Sequence, residues 1–383
     1  MSGTALPPVH GHADVRATLA SAAVAGSLAQ SILLHGPAGI GKERLALWIA
    51  QLVVCQAPTA AGGCGECQPC RMALKLEHPD VHWFFPLPRP DASQPEKLRE
   101  KLEEARYAEL SARRTDPFHV PAYEKPPAYF LGTIQNLQKL AGMRPAMGSR
   151  KVFVVGDAEL MVPQESSQEA ANAFLKLLEE PPADTTLVLT ASSPGALLPT
   201  IRSRVLPVRL LPLAADDVQA FLVNERGMAA DEARALAGIS RGAIGRALRL
   251  APQGGGAGVL AKRREAGKSL LFAALAESPS MRFAAAHGVP PAGARGEFTD
   301  NLEALAEWLR DLLAVAAGAP DQVAYTGEAR LLEKMLERRP VRPEGVARSI
   351  MRVQEAQELA AGNVNPQLIV STLLRGIRTD LVG

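Results

Sequence analysis

Apolar positions divide the chain into an alternating part and a purely helical part. Ser31–Leu34 (SILL), Asp80–Phe85 (DVHWFF), Lys151–Val155 (KVFVV), Thr186–Thr190 (TLVLT) and Arg204–Leu210 are short, mostly apolar runs. Runs of this length predict strands covered on both faces, as in a parallel sheet. Between them lie segments with helical spacing: Asp14–Ala29, Lys42–Cys55, a short stretch ending near Leu76, Leu131–Leu140, and Gln168–Glu180, stopped by Pro181-Pro182. Strands alternating with helices predict an α/β unit. Beyond Leu213 the strand pattern ends. Ala215–Arg226, Asp231–Ala237 and Ala243–Leu250 form a small helical group, and Gln253–Gly258 has the composition of a flexible linker. The remainder is Ala- and Leu-rich helix with a break near Val289–Gly296. The expected organisation is an α/β domain over 1–210, a small helical lid over 211–252 and a helical C-terminal domain over 253–383.

One segment breaks the alternation. Pro86–Pro127 is Pro-rich and charged, with a capping box at Ser93-Gln94-Pro95-Glu96 and good helix formers from Lys97 to Arg114. Charge runs are usually solvated faces, so a solvated helical insertion is expected, with a binding role for its Arg and Lys residues as the alternative.

Composition narrows the function. Aromatic residues are 4% of the 383 and hydrophobic residues 47%, so the core rests mainly on Leu, Val and Ala. A net charge of +2 does not suit a strongly basic nucleic-acid binder. No apolar run reaches membrane-span length, and Met1–Gly11 lacks the layout of a signal peptide, so a cytoplasmic protein without membrane contact is expected.

Three clusters carry candidate chemistry. Gly36-Pro37-Ala38-Gly39-Ile40-Gly41-Lys42 fits G-x-x-x-x-G-K between a strand and a helix. Gly36, Gly39 and Gly41 let backbone N–H groups surround an anion at a helix N-terminus, and Lys42 would reach phosphate oxygens. The following position should be Ser or Thr to hold Mg²⁺, and here it is Glu43. The second acidic strand end is Asp157, a metal-orienting group or a turn cap; the next residue is Ala158, and Glu159 is rotated about 100° away on a helix. Cys55, Cys64, Cys67 and Cys70 give C-x₈-C-x₂-C-x₂-C, a spacing that suits structural Zn²⁺, with reduced core thiols as the alternative. Ser203-Arg204 precedes the last strand, where an arginine can project from the surface toward a neighbouring protein's phosphate or remain a solvated ion pair.

Over roughly residues 10–250 the chain resembles the delta-prime subunits of the bacterial DNA polymerase III clamp loader, in the AAA+ superfamily. GPAGIGKE, the cysteine spacing, HPD at His78–Asp80, KVFVVGDAELM, NAFLKLLEEPP, TLVLTASSPGALLPTIRSRV and RGAIGRAL carry the resemblance. It implies an α/β P-loop AAA+ domain with a parallel sheet, a helical lid and an all-helical C-terminal collar. It also implies a stator that hydrolyses no ATP, with a vestigial or weak nucleotide site, in a hetero-pentamer with gamma/tau and delta that loads the sliding clamp onto primed DNA. Glu43, Ala158 and Gly245 stand where ATP-hydrolysing relatives carry Ser or Thr, Glu and Arg, whereas Ser203 and Arg204 are kept, so Arg204 would complete a neighbour's ATP site. Val205 departs from the usual Ser-Arg-Cys triplet. Arg144, Arg150 and Lys151 are candidate DNA contacts, with scattered surface charge as the alternative. The competing expectations are a gamma/tau-like ATPase using Glu159, and a P-loop adaptor outside replication.

Overall fold

The computed structural model describes residues 5–92, 94–119, 121, 123, 125–161, 169–251, 258–290, 295–323, 328–361 and 364–382. Its contacts separate into two compact units: residues 1–227 with 241–249, and residues 228–240 with 250–383.

The first unit holds a five-stranded, all-parallel sheet in the order β2-β3-β4-β1-β5. The strands are β1 (Ser31–His35), β2 (Val81–Phe84), β3 (Lys151–Val155), β4 (Thr185–Ala191) and β5 (Leu206–Arg209), all within the predicted runs or a residue of them. Successive residues point to opposite faces, so both faces are apolar. Ile32, Leu34, Val152, Val154 and Val188 pack into one core, and Leu33, Phe153, Val155, Leu187 and Leu189 into the other. Helices α1 (Ala13–Val24), α2 (Lys42–Val54), α3 (Gln68–Leu74), α4 (Pro95–Thr115), α5 (Leu131–Ala141), α6 (Glu169–Glu179), α7 (Pro199–Arg202) and α8 (Ala215–Arg226) belong to this unit. α1 stops at Val24, five residues before the predicted end, and Gly26 follows with a left-handed φ of 69°.

The second unit is helical among its described residues. It contains α9 (Ala230–Ser240); α10 (Ile244–Leu250) begins in the first unit, and α11 (Gly258–Leu275), α12 (Pro279–His287), α13 (Arg295–Ala316), α14 (Ala329–Arg338), α15 (Pro343–Ala361) and α16 (Pro366–Val382) complete the second. Its core forms around Trp308 and includes Leu305, Leu309, Val346, Val353, Leu374 and Ile377. The Trp308 indole N–H donates to Arg264 O at 2.9 Å, so a buried ring keeps its polar end satisfied. The linker at 253–257 and the cap residue Ser93 lie outside the described residues.

The insertion departs from the sequence expectation. α4 is solvated on one face only: Leu102, Arg106, Leu110 and Arg113 are buried along the other. Arg106 donates to Trp83 O at 3.2 Å, stacks over the Phe84 ring at 4.6 Å and pairs with Glu103. Amphipathic Arg stems cover apolar surface while their heads find acceptors, and here the acceptor is the free edge of β2. At the opposite edge, β5 pairs only with β1, and Pro207 sits in its middle opposite Leu33.

Lys151 is also reassigned. It is 2% exposed, so it is no surface contact for DNA. Its ammonium donates to Ala141 O at 2.5 Å and to Met143 O, capping the C-terminal end of α5, with the Asp184 carboxylate 3.7 Å away. Lys151→Ala is expected to cost about 2–4 kcal/mol, because it leaves buried carbonyls and a carboxylate unpaired. A urea midpoint unchanged from wild type would refute this role.

Candidate nucleotide site and cysteine cluster

The phosphate loop connects β1 to α2, and its shape is set by glycine. Gly36 has φ of 154°, and a Cβ there would meet Leu210 O at 2.4 Å; Gly39 has φ of 80°, and a Cβ there would meet Arg246 N at 2.9 Å. Gly39 O accepts the Gly245 N–H at 2.7 Å, fastening the loop to the segment that opens α10. A Cβ at Gly245 would fall 3.0 Å from Gly39 Cα, so a long side chain at Gly245 has no room to start.

Lys42 is 5% exposed, and its ammonium turns back on the loop. It donates to Gly36 O, Pro37 O and Ser192 Oγ, each at 2.9 Å, which uses all three of its N–H bonds. Burial lowers its pKa, against the opposing pull of Asp157, Glu159 and Glu43. Glu43, at the expected Mg²⁺-ligand position, lies against the end of β3: a Cβ on Gly156 would meet its Oε1 at 2.1 Å. Its other oxygen is 3.7 Å from the Arg113 guanidinium.

Arg113 was not among the residues singled out in the sequence. The last turn of α4 delivers it to the phosphate loop. It is 9% exposed, donates to Glu109 Oε1 at 2.8 Å, and lies 4.2 Å from the ring centroids of both Trp83 and Phe85. The only local signal was Glu109 four residues earlier, a helical ion-pair spacing. Tyr129 was missed as well. It is buried, and its hydroxyl lies 2.6 Å from Gly156 O and 3.1 Å from Phe84 O, joining the ends of β2 and β3.

Asp157 ends β3 with φ of 43°, a left-handed turn that Asp tolerates. Its own N–H donates to Thr190 Oγ1 at 3.0 Å, and its carbonyl accepts the Leu160 N–H at 3.0 Å. Glu159 is committed elsewhere: Oε1 accepts the backbone N–H groups of Ser192 at 2.7 Å and Ser193 at 3.2 Å. The site thus brings together Gly36, Gly39, Gly41, Lys42 and Asp157 with Glu43, Arg113, Glu159 and Ser192, and all of these but Gly36 line a cavity of about 630 Å³.

The four cysteines converge, with all their Sγ atoms within 4.8 Å of one another. The short loop after α2 and the start of α3 supply them. Gly62, with φ of 131°, tucks under Trp48, and a Cβ there would meet the indole at 2.9 Å. Cys64 N–H points at Cys55 Sγ at 3.2 Å and Cys67 N–H at Cys64 Sγ at 3.4 Å. These backbone donors favour thiolate: those of Cys67 and Glu66 pull the Cys64 thiol down to about 6, whereas burial pushes Cys70 up. A tetrahedral ion bound through sulfur at about 2.3 Å needs sulfurs roughly 3.8 Å apart, and Cys64 and Cys70 are 4.0 Å apart. The cluster could therefore hold a metal ion.

Ser203 and Arg204 follow α7 at the surface, far in function from the groups above. The Arg204 side chain is 35% exposed and holds Glu179 at 2.9 Å, Thr200 O at 2.9 Å and Ser203 Oγ at 3.2 Å. Val205 beside it is buried in the core.

Burial, with Glu43 and Glu159 close by, pushes the Asp157 carboxyl up to about 6, against the pull of Lys42 and Arg113. The folded chain then holds this proton more tightly than the unfolded chain. The resulting stability is complete below about pH 4 and is lost as the pH rises through 6. Asp157→Asn accepts the same left-handed φ. It is expected to be more stable than wild type at about pH 8 and equal to it near pH 4. Denaturant midpoints that differ by the same amount at both pH values would contradict this.

Comparison with known proteins agrees with this geometry. The family model described as DNA polymerase III, delta subunit, matches residues 11–214. The DNA polymerase III subunit delta' of Pseudomonas aeruginosa is 35% identical over 217 residues, 55% of this chain and 53% of that one. The delta' subunit of Escherichia coli is 27% identical over 226 residues, 59% of this chain and 55% of that one. The tau subunit of Salmonella typhimurium is 27% identical over 240 residues, 62% of this chain and 30% of that one. The matched stretch thus spans about half the length of the delta' relatives. A parallel sheet with a phosphate loop after β1 makes the first unit an α/β P-loop domain. Because the matched model covers more than half of its residues, the chain belongs to the DNA polymerase III delta-subunit family.

Proposed function

We propose that the chain is the non-hydrolysing stator, the delta-prime subunit, of a DNA polymerase III clamp loader, and that it works in the cytoplasm. It would assemble with gamma/tau and delta subunits in a hetero-pentamer and help place the sliding clamp on primed DNA. Residues 1–210 would be the AAA+ domain, 211–252 the lid and 253–383 the collar that joins the other subunits. The observation that carries this reading is the state of the phosphate loop. Glu43 replaces the metal ligand and pairs with Arg113, Lys42 is bonded to its own loop, and Glu159 is tied to Ser192 and Ser193. Hydrolysis needs a metal, a water-orienting carboxylate and a free lysine, and each is compromised.

Arg204, in contrast, is at the surface on a weak ion pair, available to reach the γ-phosphate of a neighbouring subunit's ATP with Ser203 supporting it. In a complex reconstituted with gamma/tau and delta partners, Arg204→Ala is expected to lower DNA-stimulated ATP hydrolysis at that neighbour's site by about 10³-fold or more, with assembly unchanged. Unchanged hydrolysis would remove the arginine-finger role. Because tau subunits match over a longer stretch, a motor is the second reading. Turnover by the isolated chain, abolished in Lys42→Ala, would establish it.

Cys55, Cys64, Cys67 and Cys70 would hold one structural Zn²⁺, the backbone N–H groups on sulfur supporting thiolate. With four protein ligands the ion would clamp the loop to α2 and do no chemistry. Metal analysis of the purified chain is expected to find one zinc per chain, and Cys67→Ser to lose it together with several degrees of melting temperature. A metal-free chain of wild-type stability would exclude the site.

A further inference from the structure

The C-terminal end of α11, in the second unit, collects more positive charge than helix capping requires. The carbonyl groups of Leu275 and Ala276 there are met by three guanidiniums, each from a different helix or helix end. Arg282 of α12 donates to Ala276 O at 2.6 Å. Arg339, at the end of α14, donates to Leu275 O at 2.6 Å. Arg378 of α16 donates through Nη1 to both, at 3.0 Å to Leu275 O and 2.7 Å to Ala276 O. Arg378 thus shares one oxygen with each of the other two. Donors that share an acceptor lie within about 6 Å of each other, so the three cationic heads form one cluster. All three side chains are half-buried, which leaves them reachable from solvent.

The negative charge around them does not match. A helix C-terminus carries about half a negative charge, which a single cation answers. Among the described residues the one carboxylate paired with the cluster is Glu277, 3.1 Å from Arg339 Nη2. Its side chain is 85% exposed, so the pair is weak. The carbonyl acceptors are used up too, because an oxygen has two lone pairs and each of these two accepts from two arginines. Donors, by contrast, are in surplus. A guanidinium has N–H groups on Nε, Nη1 and Nη2, and Arg282 and Arg378 each engage a protein acceptor through Nη1 alone. Three like charges are held together with forked donors to spare, and an anion that takes several of those donors at once removes the repulsion.

We propose that Arg282, Arg339 and Arg378 form a binding site for a phosphate group. Phosphate suits the cluster because its oxygens accept from planar guanidinium forks in pairs, which a point charge such as lysine does not offer. Arg282 and Arg378 supply the unengaged donors, and Arg339 adds its charge. The phosphate belongs either to a free phosphate compound or to the backbone of a single-stranded nucleic acid, and the chemistry at the arginines is the same for both. The capping role is redundant, since Ala276 O keeps Arg378 when Arg282 is removed and Leu275 O keeps Arg339 when Arg378 is removed. Single substitutions therefore separate anion binding from folding.

The test is binding of inorganic pyrophosphate and of an oligothymidylate to the full chain at matched ionic strength, by titration calorimetry and by melting temperature. Wild type is expected to bind at least one of them and to melt several degrees higher in its presence than in chloride alone. Arg282→Gln and Arg378→Gln are expected to bind at least about tenfold more weakly, yet to melt within about two degrees of wild type in chloride. Arg282→Lys keeps the charge and one donor for Ala276 O but has no fork, and is expected to bind several-fold more weakly. Pyrophosphate binding at least as tight as that of the oligonucleotide would assign a free phosphate ligand, and tighter oligonucleotide binding a nucleic-acid backbone; either supports the site. Binding of neither probe would overturn it. Affinities unmoved in both glutamine variants would put the phosphate elsewhere on the chain and overturn it as well. Glutamine variants that lose melting temperature in chloride but keep the full rise with the probe would leave only a structural cap.

Discussion

A guanidinium buried beside the phosphate loop governs the structure around it. Taking an arginine out of water costs several kcal/mol unless its charge and donors are met. Arg113 is met on every side: by Glu109 on its own helix, by Glu43 at the start of α2, and by the faces of Trp83 and Phe85 from β2 and its end. Removing any partner would leave the others exposed to the same penalty. The insertion, the loop and the sheet end are therefore coupled through one side chain. This also explains why Glu43 is tolerated where a metal ligand belongs, since its negative charge has a permanent cation beside it.

The same logic accounts for Lys42 and Glu159. Each is a charged group beside the phosphate loop, and each has backbone partners inside the protein. The loop keeps its shape because Gly36 and Gly39 are packed too closely for any side chain.

Much of this was legible in the sequence, and the reason is locality. The five strands were visible because each is a short, mostly apolar run, and the loop and cysteine cluster because their spacing is short and fixed. Partnerships across long separations left no trace. Nothing around Arg113 announces that Trp83 and Glu43 await it, and the charged composition of α4 pointed to solvent. Lys151 looked like one more surface cation, because the carbonyl groups that hold it belong to α5 and the loop after it. Glu159 was read by its distance from a motif, and its bond to Ser192 depends on how β3 and β4 lie side by side. Sequence pattern reports what a residue is next to along the chain, and burying a charge depends on what it is next to in space.

The two edges of the sheet show a further consequence of the fold. An open strand edge offers unpaired N–H and C=O groups, and a second chain can add to it. In β2, Phe84 O bonds to Gly156 N, so Trp83 O faces outward, and Arg106 covers it. In β5, Leu210 N bonds to His35 O, so Pro207 is among the residues that face away, and it has no N–H to offer. One edge has an acceptor covered by a cation and the other lacks a donor, so each edge of the five-stranded parallel sheet is a poorer template for a sixth strand.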